Sequence, residues 1–207
     1  MYYESKPKVQ LYNFISEMKT GDWGKAQPSG SFTEPATIVR GTDFFDVANG
    51  KTSKAPIRYL KINAVEKKHL IPNDVLVEIS GGSPTQSTGR SLVVTKELLN
   101  RYKMPVLGTN FTRLFRCSTE KNAVLFQSYI KFLYNKNAFF NYENGTTGIK
   151  NLDYKSVLKI AVNDVRQHPL FPEFISMFHL YEKMKQHLGD EFRSLNDLKE
   201  SFLNKFF

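Results

Sequence analysis

The sequence predicts an α+β fold: a mixed globular domain of many short strands, followed by a long C-terminal helix of coiled-coil type. Short apolar runs rich in β-branched residues recur up to His168, separated by loops bearing glycine, proline and serine. They do not alternate with helical stretches in a βαβ rhythm, so no parallel doubly wound sheet is expected. From Pro172 the pattern changes. Met177, Tyr181, Met184, Leu188, Phe192, Leu195, Leu198, Phe202 and Phe206 form one stripe, stepping by 3 or 4 residues. The expected division is therefore a domain over residues 1–168 and a helical segment over 169–207.

Taken in order, residues 1–8 read as an irregular lead-in. Leu11, Phe14, Ile15 and Met18 have helical spacing and predict a short helix or turn. A long loop follows to Pro35 and holds Trp23, the sole tryptophan, which reads as a packing residue. Thr37–Arg40 reads as a strand, Gly41–Asp43 as a turn, Phe44–Val47 as a strand-like continuation, and Ile57–Leu60 as a further strand. Asn63 is expected to cap a helical turn reaching Lys67. Pro72–Asp74 turns the chain into a central strand, in which Val75, Val77 and Ile79 alternate with Leu76, Glu78 and Ser80. Leu92–Val94 is a second strand, and Thr95 caps a short helix. Pro105–Leu107 and Phe111–Cys117 are strands, the latter interrupted by Arg113 and Arg116. A helix starts near Ser118 and carries Val124, Leu125, Tyr129, Phe132 and Leu133. A second glycine-bearing loop occupies residues 143–148, and Ser156–Val162 reads as a strand. The C-terminal stripe fits one helix, or two pieces broken at Gly189 with Asp190 or Ser194 as cap.

Composition narrows the function. The net charge is +9. Residues before Glu173 hold 24 basic and 14 acidic side chains, against 5 and 6 from there on, so the whole positive excess lies on the globular part. A basic body without a basic amphipathic anchor points to a polyanion, nucleic acid before membrane. The single cysteine, Cys117, lies in an apolar run and reads as a buried core thiol, which fits a reducing cytoplasm. No apolar run is long enough to span a bilayer.

The most ligand-like stretch lies between the two central strands: Gly81-Gly82-Ser83-Pro84-Thr85-Gln86-Ser87-Thr88-Gly89-Arg90. Its backbone can approach a ligand closely, and nearly every side chain forms hydrogen bonds. Arg90 adds a planar cation suited to phosphate or guanine. A phosphate loop of the GxxxxGK[ST] kind is excluded: Gly82 and Gly89 are too far apart, and arginine replaces the lysine. A solvated hairpin loop is the ordinary alternative. Catalytic chemistry finds no support. His69, His168, His179 and His187 are scattered, and no Cys/His/Asp grouping has metal-ligand spacing. There is no GxSxG or HExxH. Asp43 with Asp46, or Asp74 with Glu78, could pair, but no nuclease-like Asp…Glu-x-Lys set accompanies them. No catalytic residue, metal or cofactor is assigned.

Four segments resemble, in order, motifs of the specificity (S) subunit of type I restriction–modification systems. They are Gly21-Asp22-Trp23-Gly24-Lys25, Val39-Arg40-Gly41-Thr42-Asp43, Ile79 to Gln86 with Gly89-Arg90, and Gly145 to Leu152. The ending, Leu198 to Phe207, is similar to the family's LKxSLLQKLF close. Where the family carries a Pro-Pro-Leu-Glu-Glu-Gln type joint, this chain has His168-Pro169-Leu170-Phe171-Pro172-Glu173. A complete S subunit carries two domain-plus-helix units, and this chain carries one. The resemblance implies a non-catalytic target recognition domain that reads one half of a split site in double-stranded DNA. It implies a helix that acts as a spacer and docks the methyltransferase (M) subunits and, through them, the restriction (R) subunit. On this reading Ser83, Thr85, Gln86, Ser87, Thr88 and Arg90 of the first loop, and Thr147 and Lys150 of the second, are expected at the DNA. The stripe from Met177 to Phe206 is expected to pair two copies into a homodimer. The alternative is a half-subunit that competes for the methyltransferase without reading DNA.

Overall fold

A computed structural model of the chain describes residues 7–51, 53–83, 85–145 and 148–207. In chain order the elements are β1 (Lys8–Gln10), β2 (Ile15–Thr20), β3 (Glu34–Val39), α1 (Phe44–Ala48), β4 (Ile57–Leu60) and α2 (Ile62–Lys68). They continue with β5 (Asp74–Glu78), β6 (Ser80–Gly81), β7 (Ser91–Val93), α3 (Lys96–Leu99), β8 (Val106–Gly108) and β9 (Thr112–Cys117). The last are α4 (Glu120–Asn135), β10 (Glu143–Asn144), β11 (Lys150–Leu152), α5 (Tyr154–Val157), β12 (Ala161–Asn163) and α6 (Phe171–Phe206). The α+β class with many short strands and a long final helix holds.

Four local expectations change. The apolar spacing from Leu11 to Met18 does not make a helix. Leu11–Phe14 forms a single 3-10 turn that buries Leu11 and Phe14, and the chain then extends as β2 to pair with β9. Phe44–Ala48 is helical rather than strand-like, because this turns Phe44 and Val47 inward together and leaves Phe45 exposed. Asn63 is not a cap: α2 begins at Ile62, one residue before it. Ser156–Val162 divides into the end of α5, capped by Asp153 Oδ1 accepting from the Ser156 N–H at 3.1 Å, and the strand β12, which pairs with β1. The cap expected at Thr95 forms, its Oγ1 accepting from the Leu98 N–H at 3.2 Å, and α4 begins the same way, with Thr119 Oγ1 accepting from the Asn122 N–H at 3.2 Å.

The central sheet is antiparallel, in the order β2-β9-β5-β7. Both of its faces are covered. Val75, Val77, Phe115 and Cys117 point to one side, where α4 supplies Leu125, Phe126 and Ile130 and the α6 root supplies Phe171. Leu76, Leu92 and Leu114 point to the other side, against Phe44, Val47 and Leu98. β5 is therefore buried at every position, as its nearly continuous apolar run requires. A second sheet, β4-β3-β8, packs Ile38, Leu60 and Leu107 beneath α2. β10, β11 and β6 form a small third sheet.

Helix α6 runs unbroken for 36 residues, about 54 Å at 1.5 Å per residue. Gly189 does not break it. A Cβ there would overlap the backbone of Asn49 and Gly50, so the glycine lets the helix lie against the turn after α1. Gln186, one turn earlier and buried, donates from Nε2 to the carbonyls of Val47 and Ala48 at 3.3 and 3.1 Å. Arg101 reaches Gln186 Oε1 at 3.1 Å and Asp190 at 3.0 Å. The helix is thus seated on the body by one face around residues 186–190.

Candidate nucleic-acid interface

The strand registers bring the signature segments to one end of the central sheet. Arg113, near the start of β9, lies opposite both Thr20 at the end of β2 and Val77 near the end of β5, and Val77 lies opposite Ser91 at the start of β7. The segment Gly21 to Lys25 therefore leaves the sheet where the loop 79–90 leaves it. The second glycine loop joins them: Lys150 pairs with Gly81 and Asn151 with Ser80, and the Leu152 N–H donates to the Ile79 carbonyl at 2.9 Å.

Glu78, 4% exposed, is the centre of this end. Arg90 grips its carboxylate with both arms of the guanidinium, Nε to Oε2 at 2.9 Å and Nη2 to Oε1 at 2.6 Å. The backbones are bonded as well: the Glu78 N–H donates to the Arg90 carbonyl at 2.8 Å, and the Glu78 carbonyl accepts from the Gly89 N–H at 3.0 Å. A buried carboxylate needs such a partner, and the bidentate geometry supplies charge and hydrogen bonds together. The hydrogen bonds that Arg90 donates to Glu78 raise its pKa above the ordinary value, against the opposing effect of burial. Two signature glycines make room for the carboxylate: a Cβ at Gly41 would lie 2.5 Å, and one at Gly81 2.9 Å, from Glu78 Oε1.

A second carboxylate ties the two loops. Glu143 accepts from the Thr88 N–H at 2.5 Å and from its hydroxyl at 2.8 Å through Oε1, and from Lys150 Nζ at 3.0 Å through Oε2. The lysine ammonium also sits 4.8 Å over the Phe140 ring. At the loop tip, Ser83 Oγ accepts from the Gln86 N–H at 3.0 Å and the Thr85 N–H at 3.3 Å, which closes a turn.

The eight residues expected at DNA therefore divide. Thr85 and Gln86 are exposed, and Ser83 is half-buried beneath them. Gln86 donates from Nε2 to the Tyr134 hydroxyl at 3.1 Å and keeps its side-chain Oε1 free among the described residues. Ser87 and Thr88 are both buried, and Thr88 is an anchor of the loop on Glu143. Arg90 is engaged by Glu78, and Lys150 by Glu143. Thr147 lies outside the described residues, as does Pro84. The organising carboxylates Glu78 and Glu143 were not assigned a role from the sequence. Only Glu78, a charge within a run of buried strand residues, carried a signal.

Three of the four carboxylates that could have formed catalytic pairs are held by arginine: Asp43 by Arg40 at 2.8 Å, Asp74 by Arg116 at 2.9 Å and Glu78 by Arg90 at 2.6 Å, which leaves Asp46 without a carboxylate free to pair with it. Among the described residues no group of three His, Cys, Asp or Glu side chains is placed to hold a metal ion. No described helix is long and apolar enough to cross a membrane. The first signature is structural as well. Asp22 pairs with Lys68 at 2.9 Å, Gly21 packs against Thr109, and Arg58 stacks over Trp23 at 4.5 Å. Along α6 the stripe faces outward: Met177, Tyr181, Met184, Leu188, Phe192, Leu195, Leu198, Phe202 and Phe206 are all more than half exposed.

No protein-family model and no curated protein matches the sequence. Among solved structures, the S subunit of a type I restriction–modification system from M. genitalium superposes with a TM-score of 0.60 at 10% identity. The superposition covers 98% of this chain and 46% of that one, so the chain spans less than half the length of that subunit. The type IIG restriction endonuclease BpuSI matches 82% of this chain over 26% of its own, with a TM-score of 0.51 at 10% identity. The chain thus has the fold of one domain-plus-helix half of a type I restriction–modification S subunit.

Proposed function

We propose that the chain is the DNA-recognition subunit of a type I restriction–modification complex, reading one half of a bipartite target. It acts in the cytoplasm without catalysing methylation or cleavage itself. The observation that carries this reading is the superposition of nearly the whole chain, helix included, on one half of an S subunit. The basic excess of the residues before Glu173 supports a polyanion partner. Base contacts fall to the exposed Thr85 and Gln86, with Ser83 and Lys150 next to them. Helix α6 carries the assembly: its outward stripe pairs with a second copy of the chain and presents the joined helices to the M subunits, which bring the R subunit.

The test is methylation mapping. A host carrying the chain and its methyltransferase is sequenced with modified bases resolved, beside a host carrying the methyltransferase alone. The expected result is a new split motif, methylated only when the chain is present. Binding of the methyltransferase without any motif would replace DNA reading by competition for the methyltransferase.

A further inference from the structure

We propose that Arg113 is the cation by which this end of the sheet grips DNA, an inference that rests on the DNA-reading function above and names its anchor. Of the eight arginines, Arg40, Arg90, Arg101, Arg116, Arg166 and Arg193 are paired with carboxylates. Arg58 donates to the carbonyls of Trp23 and Gly24. Among the described residues Arg113 alone has neither a carboxylate nor a carbonyl partner. Its Nε is buried and without a hydrogen bond. A buried guanidinium nitrogen left unpaired is unfavourable, and a position that keeps one needs a reason.

The surroundings supply the reason. The Arg113 guanidinium lies over the Tyr154 ring, its ζ carbon 4.6 Å from the centroid. Stacking holds the plane in one orientation and leaves the terminal nitrogens for a ligand with two acceptors side by side. Arg113 is also where the two glycine loops meet. It is the register partner of Val77, and the Phe111 carbonyl two residues earlier accepts from the N–H groups of both Ile79 and Ser80. Tyr154 follows β11, whose Leu152 bonds Ile79. Arg90, the arginine in the loop itself, is neutralised by Glu78, whereas Arg113 has kept its charge uncompensated. Two neighbouring acceptors on DNA are offered by a phosphate and by the O6/N7 edge of guanine.

The experiment uses the full chain and two duplexes of equal length: one selected by the wild type from a random-sequence pool, and a scrambled control. Arg113→Gln should bind the selected duplex roughly 5- to 100-fold more weakly. An equal loss on both duplexes, with a salt slope smaller by about one, assigns a phosphate. A loss confined to the selected duplex assigns guanine. Arg113→Lys, which keeps the charge but not the planar fork, should recover the phosphate case only. As a measurement independent of any variant, phenylglyoxal adducts on the wild type are mapped by mass spectrometry. Arg113 should react readily and be shielded by saturating selected duplex. Unchanged affinity of Arg113→Gln, or adduct formation at Arg113 indifferent to duplex, overturns the inference while leaving DNA reading intact. A wild type that retains no duplex from the pool overturns DNA reading, and this inference with it.

Discussion

Glu78 shows how one buried charge organises a site. Its carboxylate fixes Arg90, requires glycine at positions 41 and 81, and so fastens together segments far apart in the chain. Removing the arginine alone strands that charge. Arg90→Ala should lower stability by about 3 kcal/mol in urea denaturation, and Arg90→Gln combined with Glu78→Gln should lower it by less than the sum of the single changes. A DNA-contact role for Arg90 without this structural one predicts unchanged stability. The sequence showed Arg90 as a cation beside a polar loop and could not show its partner, because the pairing depends on strand register. Much of the signature is likewise explained by packing that the sequence could not show. Gly21, Gly41, Gly81 and Thr88 are held by packing inside the fold, and the exposed positions between them are ordinary polar residues. Cys117 was legible, since an apolar run around a lone thiol reads as core. Burial, followed by the charge of Asp74, pushes its pKa up to about 12. The protonated thiol is favoured in the folded state, so its contribution is complete below the unfolded value of about 8.5 and disappears as pH climbs through about 12. At pH 8 a thiol reagent should label Cys117 only as fast as the protein opens, and rapid labelling of the native chain would contradict its placement.

Elements were legible where one kind of burial governed them. β5 and β9 could be read from their apolar runs, and α4 from its stripe. Elements too short to express a period were not: Phe44–Ala48 and Tyr154–Val157 fit a strand pattern as well as a helical turn, and packing decides. Gly189 is the instructive case in α6. On helix propensity alone, replacing it with alanine in the helix interior should stabilise by about 1 kcal/mol. Its Cβ would instead overlap Asn49 and Gly50, where Gln186 and Arg101 hold the helix to the body. Gly189→Ala should therefore lower the melting temperature while leaving the far-ultraviolet helical signal of the folded protein intact. A higher melting temperature would mean that α6 is not seated there.

At the scale of the whole molecule, the face of α6 opposite Gln186 and Gly189 has no partner among the described residues. Its nine stripe residues, over half exposed along a helix of 36 residues, make a continuous apolar surface larger than soluble monomers carry. The spacing by threes and fours suits a second helix packed alongside, and a two-fold axis lets one such surface satisfy itself. Antiparallel pairing sets the two domains at opposite ends, so that two identical sites read an inverted repeat across a fixed spacer. Parallel pairing would crowd both bodies at one end. Leu195→Asp with Leu198→Asp places two charges on each helix in that seam, far from Gln186 and Gly189. Light scattering at tens of micromolar should give a dimer for the wild type and a folded monomer for the double variant. If the methyltransferase docks on the paired helices as proposed, the variant should also hold it more weakly. A wild-type monomer at that concentration would show that the stripe is reserved for a different chain, and the inverted-repeat target would fall with the dimer.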